Sequence, residues 1–326
     1  MLKKKRIRYK YLLIAIFVWI FCFIVILLKN NGPSSLKQDQ ILRFDKIKKD
    51  YNVKQKISID DRINSSIIFV VGSPGSGTTL MRSILDVSPR INCGFETGII
   101  PDFLKMVVDK KYLKSKDIFF QQYKKSLKRA MGYFIGEIMR KNNDTFDILC
   151  NKDPGNSYHI PLLHEIFPTA RFILMVRDGR GMAMSNIKRE KLEVNTDNFY
   201  KYLIIWDKNN RKSHGDCMQL GEKYCILVKY EDLVSNPEQK IRELLKFLDI
   251  PFSSDFLRHN ELGKYTGVNE TFNQVRQKIN TDQLSSWIGK VNYDKVYVNS
   301  NIQMLQAFGY HVDFNNENDG ILAKTN

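Results

Sequence analysis

Four runs along the chain are apolar without alternation: IIFVVG (67–72), DILC (147–150), RFILMV (171–176) and YCILVKY (224–230). Runs of this length that are rich in β-branched residues and lack a polar face predict strands covered on both sides, as in a parallel sheet. Between them the period changes. Phe199, Tyr202, Leu203 and Trp206 recur at i, i+3, i+4 and i+7, and so do Ile241, Leu244, Leu245 and Leu248 after the Asn236-Pro237 start signal, which is the spacing of helices with one buried stripe. Strand and helix signals that alternate along one chain predict a doubly wound α/β domain. No internal repeat is present.

A different pattern precedes this domain. Residues 11–28, YLLIAIFVWIFCFIVILL, are eighteen uncharged, largely apolar positions, about 27 Å as a helix, which suits the thinner bilayers of the early secretory pathway. The following LLKNNGPSS offers no small-residue cleavage site, so the segment reads as an uncleaved signal anchor. Of the 51 basic residues, Lys3, Lys4, Lys5, Arg6, Arg8 and Lys10 lie ahead of the span, whereas only Lys29 and Lys37 follow closely. That asymmetry predicts a cytosolic tail (1–10) and a lumenal remainder. The polar, Lys/Asp-rich stretch 29–65 reads as a stem.

Charge and cysteines refine the picture. The net charge of +16 suits anionic ligands, but no nucleic-acid module is present. One of the five cysteines, Cys22, lies in the span, leaving Cys93, Cys150, Cys217 and Cys225 as an even lumenal set able to pair. No C-x-x-C and no His at ligand spacing support zinc instead. Asn64, Asn143 and Asn269 open glycosylation sequons.

The candidate chemistry begins in VVGSPGSGTTLMRSILD (70–86). A strand that ends in a glycine-rich loop and continues as a helix can present backbone amides and a positive helix end to an anion. Thr78 and Thr79 stand where a nucleotide triphosphatase places Lys and then Ser or Thr, and no acidic strand end follows, which disfavours magnesium-nucleotide hydrolysis and a small-molecule kinase. In RFILMVRDGRGMAMS, Arg177 ends a strand and Ser185 lies eight positions on, inside the helix begun by Asp178-Gly179. Together they can hold a second phosphate. Lys152 of CNKDP ends a third strand. Read alone, Lys152 suits an ion pair with Asp153, and Glu96 a helix N-terminal acid near Thr97.

Taken in order, SPGSGTTLMRSILD, CGFETGIIP, LCNKDP, FILMVRDGR, the CMQLGEKYC loop, KYEDLVSNPEQ and FLDIPF resemble the Golgi tyrosylprotein sulfotransferases, over roughly residues 66–312. The resemblance implies a P-loop-like sulfotransferase fold, a central parallel sheet flanked by helices, spanning 66–316 between the stem and a tail (317–326). It implies transfer of sulfate from 3'-phosphoadenylyl sulfate to tyrosines of secretory-pathway proteins, without a metal, by a type II Golgi membrane protein that forms homodimers. Ser76, Gly77, Thr78 and Thr79 would then hold the 5'-phosphosulfate, and Arg177 and Ser185 the 3'-phosphate. Tyr230 and Thr271 would complete the nucleotide site, with Glu96 as general base and Lys152 stabilising the leaving group. Disulfides would join Cys93 to Cys150 and Cys217 to Cys225.

The chain departs from that family where Gly75, Gly98 and Asp102 replace arginines, and where Ser286 replaces a lysine before Trp287. The first arginine serves the sulfate and the next two serve acidic residues around the acceptor tyrosine, so altered acceptor preference is expected. Two other readings remain open: a carbohydrate sulfotransferase, and a catalytically silent lumenal binding protein.

Overall fold

The computed structural model describes residues 66–94, 96–109, 118–140, 147–262 and 278–312. Strands β1 (Ser66–Gly72), β2 (Ile91–Asn92), β3 (Ile148–Lys152), β4 (Arg171–Val176) and β5 (Cys225–Lys229) form one sheet in the order β2-β3-β1-β4-β5. Every pairing is parallel.

Both faces of this sheet are covered, which is why its strands show no polar alternation. Ile67, Phe69 and Val71 of β1 join Phe172, Leu174 and Val176 of β4 in one core. Ile68 and Val70 join Ile173 and Met175 in the other. Helix α1 (Thr78–Asp86) covers this second face with Met81, Ile84 and Leu85. The first face is covered by α2 (Ile99–Asp109), α3 (Ile118–Arg140), α4 (Ile160–Ile166), α5 (Gly179–Arg189) and α6 (Thr196–Leu220). After β5, α7 (Tyr230–Ser235) and α8 (Pro237–Phe247) return to the second face through Leu233, Ile241, Leu244 and Leu245.

The strand order fixes where a ligand can sit. The chain leaves β1 toward β2 on one side and leaves β4 toward β5 on the other, so the connections diverge beyond the carboxyl ends of β1 and β4. In open α/β sheets this crevice is the binding position.

The sequence-derived elements need three adjustments. β3 continues to Lys152, because Asn151 and Lys152 pair with Phe69 and Val70 of the central strand. Tyr230 is not part of a strand; it is the first residue of α7. The edge strand β2 and the helices α2 and α3 lie outside the segments that periodicity singled out. β2 has only two residues, too few to leave a pattern.

Disulfides join Cys93, just after β2, to Cys150 in β3 with Cα atoms 4.0 Å apart, and Cys217 of α6 to Cys225 of β5 at 5.4 Å. The expected span, the stem, the three sequons, Thr271 and the tail lie outside the described residues. Among the described residues no helix is long and apolar enough to cross a membrane.

Candidate active site

The loop from Ser73 to Gly77 is built by hydrogen bonds from three directions. Ser76 N donates to Ser73 O at 3.0 Å. Asn210 of α6 donates its Nδ2 to Ser73 Oγ at 3.1 Å, and Asn186 of α5 donates to Pro74 O at 3.4 Å. The helix that follows opens at Thr78 with Gly77 as its N-cap and has no side-chain cap, so its first amides remain free to donate forward. Ser76 Oγ is buried and has no hydrogen-bond partner among the described residues. A buried hydroxyl without a partner, beside the positive end of a helix, is the arrangement that a bound anion would complete.

The residues expected to hold a second anion lie one strand away. Arg177 follows β4 and donates from Nη2 to Gln283 O at 2.7 Å and from Nη1 to Gly75 O at 3.4 Å. Its guanidinium carbon lies 4.7 Å from the centroid of the Tyr230 ring, a cation–π distance. Burial pushes the Tyr230 phenol up, with Arg177 acting in the opposite direction. Ser185 completes the cluster: a Cβ added to Gly75 would lie 3.6 Å from its Oγ. Loop, strand end and α5 therefore meet at one point. The Gln283–Trp287 segment borders them, with Ser286 exposed and Trp287 buried.

Behind this cluster runs a buried network that fixes the ends of β4 and β5 together. Asp178 N donates to Glu231 Oε1 at 2.9 Å, and Tyr310 OH donates to Glu231 Oε2 at 2.7 Å. Arg180, fully buried, clasps the Asp178 carboxylate with Nε at 3.0 Å and Nη2 at 2.8 Å. Burial alone would favour its neutral form, but the Asp178 charge overrides this and holds the guanidinium above its ordinary range. The residues adjacent to Arg177 and Tyr230 are thus anchored by charge-assisted bonds.

Glu96 and Lys152 meet directly. Lys152, the last residue of β3, donates its Nζ to Glu96 Oε2. The lysine is buried, whereas Glu96 is half exposed, so the ammonium comes from inside the fold and the carboxylate opens to solvent. Ile99 N donates to Thr97 Oγ1 at 3.3 Å: Thr97, not Glu96, serves the start of α2. Asp153 is not the ion-pair partner of Lys152 either. Its carboxylate accepts from Gly98 N and Gly155 N, both at 3.1 Å, and burial pushes its carboxyl up.

A carboxylate paired with a buried ammonium, at the end of a strand that lies beside β1 and its glycine-rich loop, is an arrangement that group transfer can use. The sequence profile of the Sulfotransferase family matches residues 67–254. Protein-tyrosine sulfotransferase A of Caenorhabditis elegans is 34% identical over 304 residues, covering 90% of this chain and 78% of that protein. Protein-tyrosine sulfotransferase 1 of Homo sapiens is 38% identical over 266 residues, covering 78% and 72%. The chain belongs to the protein-tyrosine sulfotransferase family. Its fold is the sulfotransferase fold: the sulfotransferase domain of the Synechococcus PCC 7002 olefin synthase superposes with a TM-score of 0.56 at 19% identity, covering 77% of this chain and 96% of that one.

Within this protein-tyrosine sulfotransferase the departures have a structural signature. Gly75 and Gly98 have φ of +92° and +71°, a region that L side chains enter only at a cost. The glycines are therefore fitted to their own loop conformations. Asp102 lies against Gly98, since a Cβ added there would be 3.8 Å from Asp102 Oδ2.

Sequence reasoning overlooked Asn186, Asn210 and the anchoring role of Asp153. For Asn210 a signal existed: it falls one turn after Trp206 on the buried face of α6, where a polar residue calls for a partner.

Proposed function

We propose that this protein transfers the sulfuryl group of 3'-phosphoadenylyl sulfate to tyrosine hydroxyls of secretory-pathway proteins. The observation that carries the reading is the Lys152–Glu96 pair on a chain of this family, at the strand edge that also carries the glycine-rich loop. The residues present suit the donor. Ser76, with its unpartnered hydroxyl, Gly77, Thr78 and Thr79 would hold its 5'-phosphosulfate, and Arg177 and Ser185 its 3'-phosphate. Tyr230 and Thr271 belong to the same proposed site. The donor supplies an activated sulfuryl group.

Everything else falls to the protein. A phenol with a pKa of about 10 is a weak nucleophile at neutral pH, so Glu96 takes its proton as the new S–O bond forms. The Lys152 ammonium neutralises the charge that collects on the departing oxygen. The solvent-open face of Glu96 gives a protein side chain access, and the burial of Lys152 keeps its charge unscreened.

The same reading places the protein in the Golgi membrane as a type II protein, anchored by residues 11–28, with the catalytic domain in the lumen and homodimeric. Charge asymmetry around the apolar segment supports the orientation, and the disulfides suit an oxidising compartment. A carbohydrate acceptor is the second reading, favoured by Gly98 and Asp102, which leave the start of α2 without positive charge.

The test is transfer of labelled sulfate from 3'-phosphoadenylyl sulfate by the purified lumenal region to an acidic tyrosine peptide, with Glu96→Ala as the blank. Label on tyrosine that vanishes in the variant supports the proposal. Absence of label despite nucleotide binding overturns the tyrosine acceptor and directs the search to carbohydrate.

A further inference from the structure

The Lys152–Glu96 pair is bracketed on both sides by links between the same two chain segments. On one side Cys93, three residues before Glu96, is bonded to Cys150, two residues before Lys152. On the other, Gly98, two residues after Glu96, donates its amide to the carboxylate of Asp153, immediately after Lys152, at 3.1 Å. The first link is covalent. The second depends on one buried carboxylate, whose other oxygen accepts from Gly155 N at 3.1 Å and so starts the 3₁₀ turn Pro154–Tyr158. Gly155 in turn lies so close to α2 that a Cβ there would be 2.8 Å from Pro101 Cβ.

We propose that Asp153 is a positioning residue: by bridging the amides of Gly98 and Gly155 it holds the Glu96 segment against the end of β3, so that base and lysine face one reacting centre. Among the described residues the Glu96 carboxylate is tied to Lys152 alone, and that tie points the right way only if the two backbone segments are held together. Glu96 precedes α2, is half exposed, and the first amide of that helix donates to Thr97 rather than to Glu96. The disulfide fixes the segment three residues upstream, which leaves the backbone on the α2 side of Glu96 to the downstream tie. Group transfer is geometry-sensitive, and a displacement of about 1 Å in a reacting group costs on the order of a hundredfold in rate.

The inference rests on the sulfuryl-transfer reading for its kinetic arm only. The variants are Asp153→Asn, which retains the size but turns an N–H₂ toward one of the two amides, Glu96→Gln, and the double substitution. In Asp153→Asn we expect kcat to fall about tenfold or more while binding of adenosine 3',5'-bisphosphate changes by less than about threefold, because the loop and Arg177 lie on other strands. On the Glu96→Gln background the same change is expected to cost less than about twofold, since a positioning residue has nothing left to position. An equal loss in both backgrounds, or a parallel loss of nucleotide affinity, overturns the proposal.

Hydrogen exchange gives a readout free of activity. The Gly98 amide is expected to exchange about tenfold faster or more in Asp153→Asn, and unchanged exchange overturns the tether. Should the wild type transfer nothing, the functional reading fails and the exchange result alone decides this one. If Asp153→Asn does not fold, Asp153→Ser replaces it, since one hydroxyl oxygen cannot serve both amides as the two carboxylate oxygens do.

Discussion

Tyr230 lays the edge of its ring against Gly77 so closely that a Cβ there would fall 2.6 Å from Cδ2. The start of α1 and the start of α7 are therefore fitted to each other across the crevice, and Arg177 is stacked on the same ring. A methyl group at position 77 has to displace the ring, the loop, or both. Gly77→Ala is expected to cost about 1–3 kcal/mol of stability and to weaken binding of adenosine 3',5'-bisphosphate. Urea denaturation and calorimetric titration measure the two effects, and wild-type values in both would show that the contact has slack.

Lys152→Met keeps the aliphatic stem and removes the ammonium. Glu96 is half exposed, so its carboxylate can turn to water and the fold should tolerate the change. Loss of a charge-assisted bond worth about 1.5–3 kcal/mol in the transition state predicts a kcat roughly 10- to 150-fold lower. Nucleotide affinity should be nearly unchanged. A kcat within twofold of wild type would remove Lys152 from the chemistry.

The two disulfides should differ in weight. Cys93–Cys150 closes a sequence separation of 57 and Cys217–Cys225 one of 8. Loop-closure entropy gives about 4 kcal/mol for the first and about 2.5 kcal/mol for the second. Replacing Cys93 and Cys150 by Ser should therefore lower stability more, and should also reduce kcat because the Glu96 and Lys152 segments lose their covalent link. Denaturation midpoints of the two double variants check the order.

Glu231 predicts a pH dependence. Burial pushes its carboxyl above the ordinary value of 4.5, opposed by the hydrogen bonds from Asp178 N and Tyr310 OH. The folded state thus binds this proton more tightly than the unfolded chain. The corresponding stability is fully present below pH 4.5 and is lost as pH rises through the folded-state value. Glu231→Gln cannot titrate, so the advantage of wild type over this variant should narrow as pH rises from 4.5. Urea denaturation of both proteins across that range gives the sign, and a gap that widens with pH counts against the assignment.

Asp102 offers a test of acceptor preference without backbone strain. Gly98→Arg would place an L side chain at φ +71°, whereas Asp102 lies in the first turn of α2 and accepts substitution freely. Asp102→Arg is expected to lower KM for an acidic tyrosine peptide and to raise it for a basic one. Identical KM values for wild type and variant would remove position 102 from acceptor recognition.

Much of this architecture was legible in the sequence because its determinants are local. Strands covered on both faces must be continuously apolar, and helices with one buried face must repeat at 3.6, so four of the five described strands and the stripes of α6 and α8 stood out. The loop from Ser73 to Gly77, Arg177 and Ser185 were visible for the same reason: each occupies a fixed place after a strand.

The partners across the fold were decided by tertiary structure alone. In sequence, Lys152 and Asp153 are neighbours of opposite charge and look like a pair. In the fold Lys152 ends β3 and Asp153 continues with extended backbone, φ −148° and ψ 113°, and successive side chains of an extended chain point to opposite sides. Lys152 therefore turns to Glu96 and Asp153 to the amide of Gly98. No local pattern encodes those meetings, because the segments that supply Glu96 and Gly98 reach them only when the sheet closes.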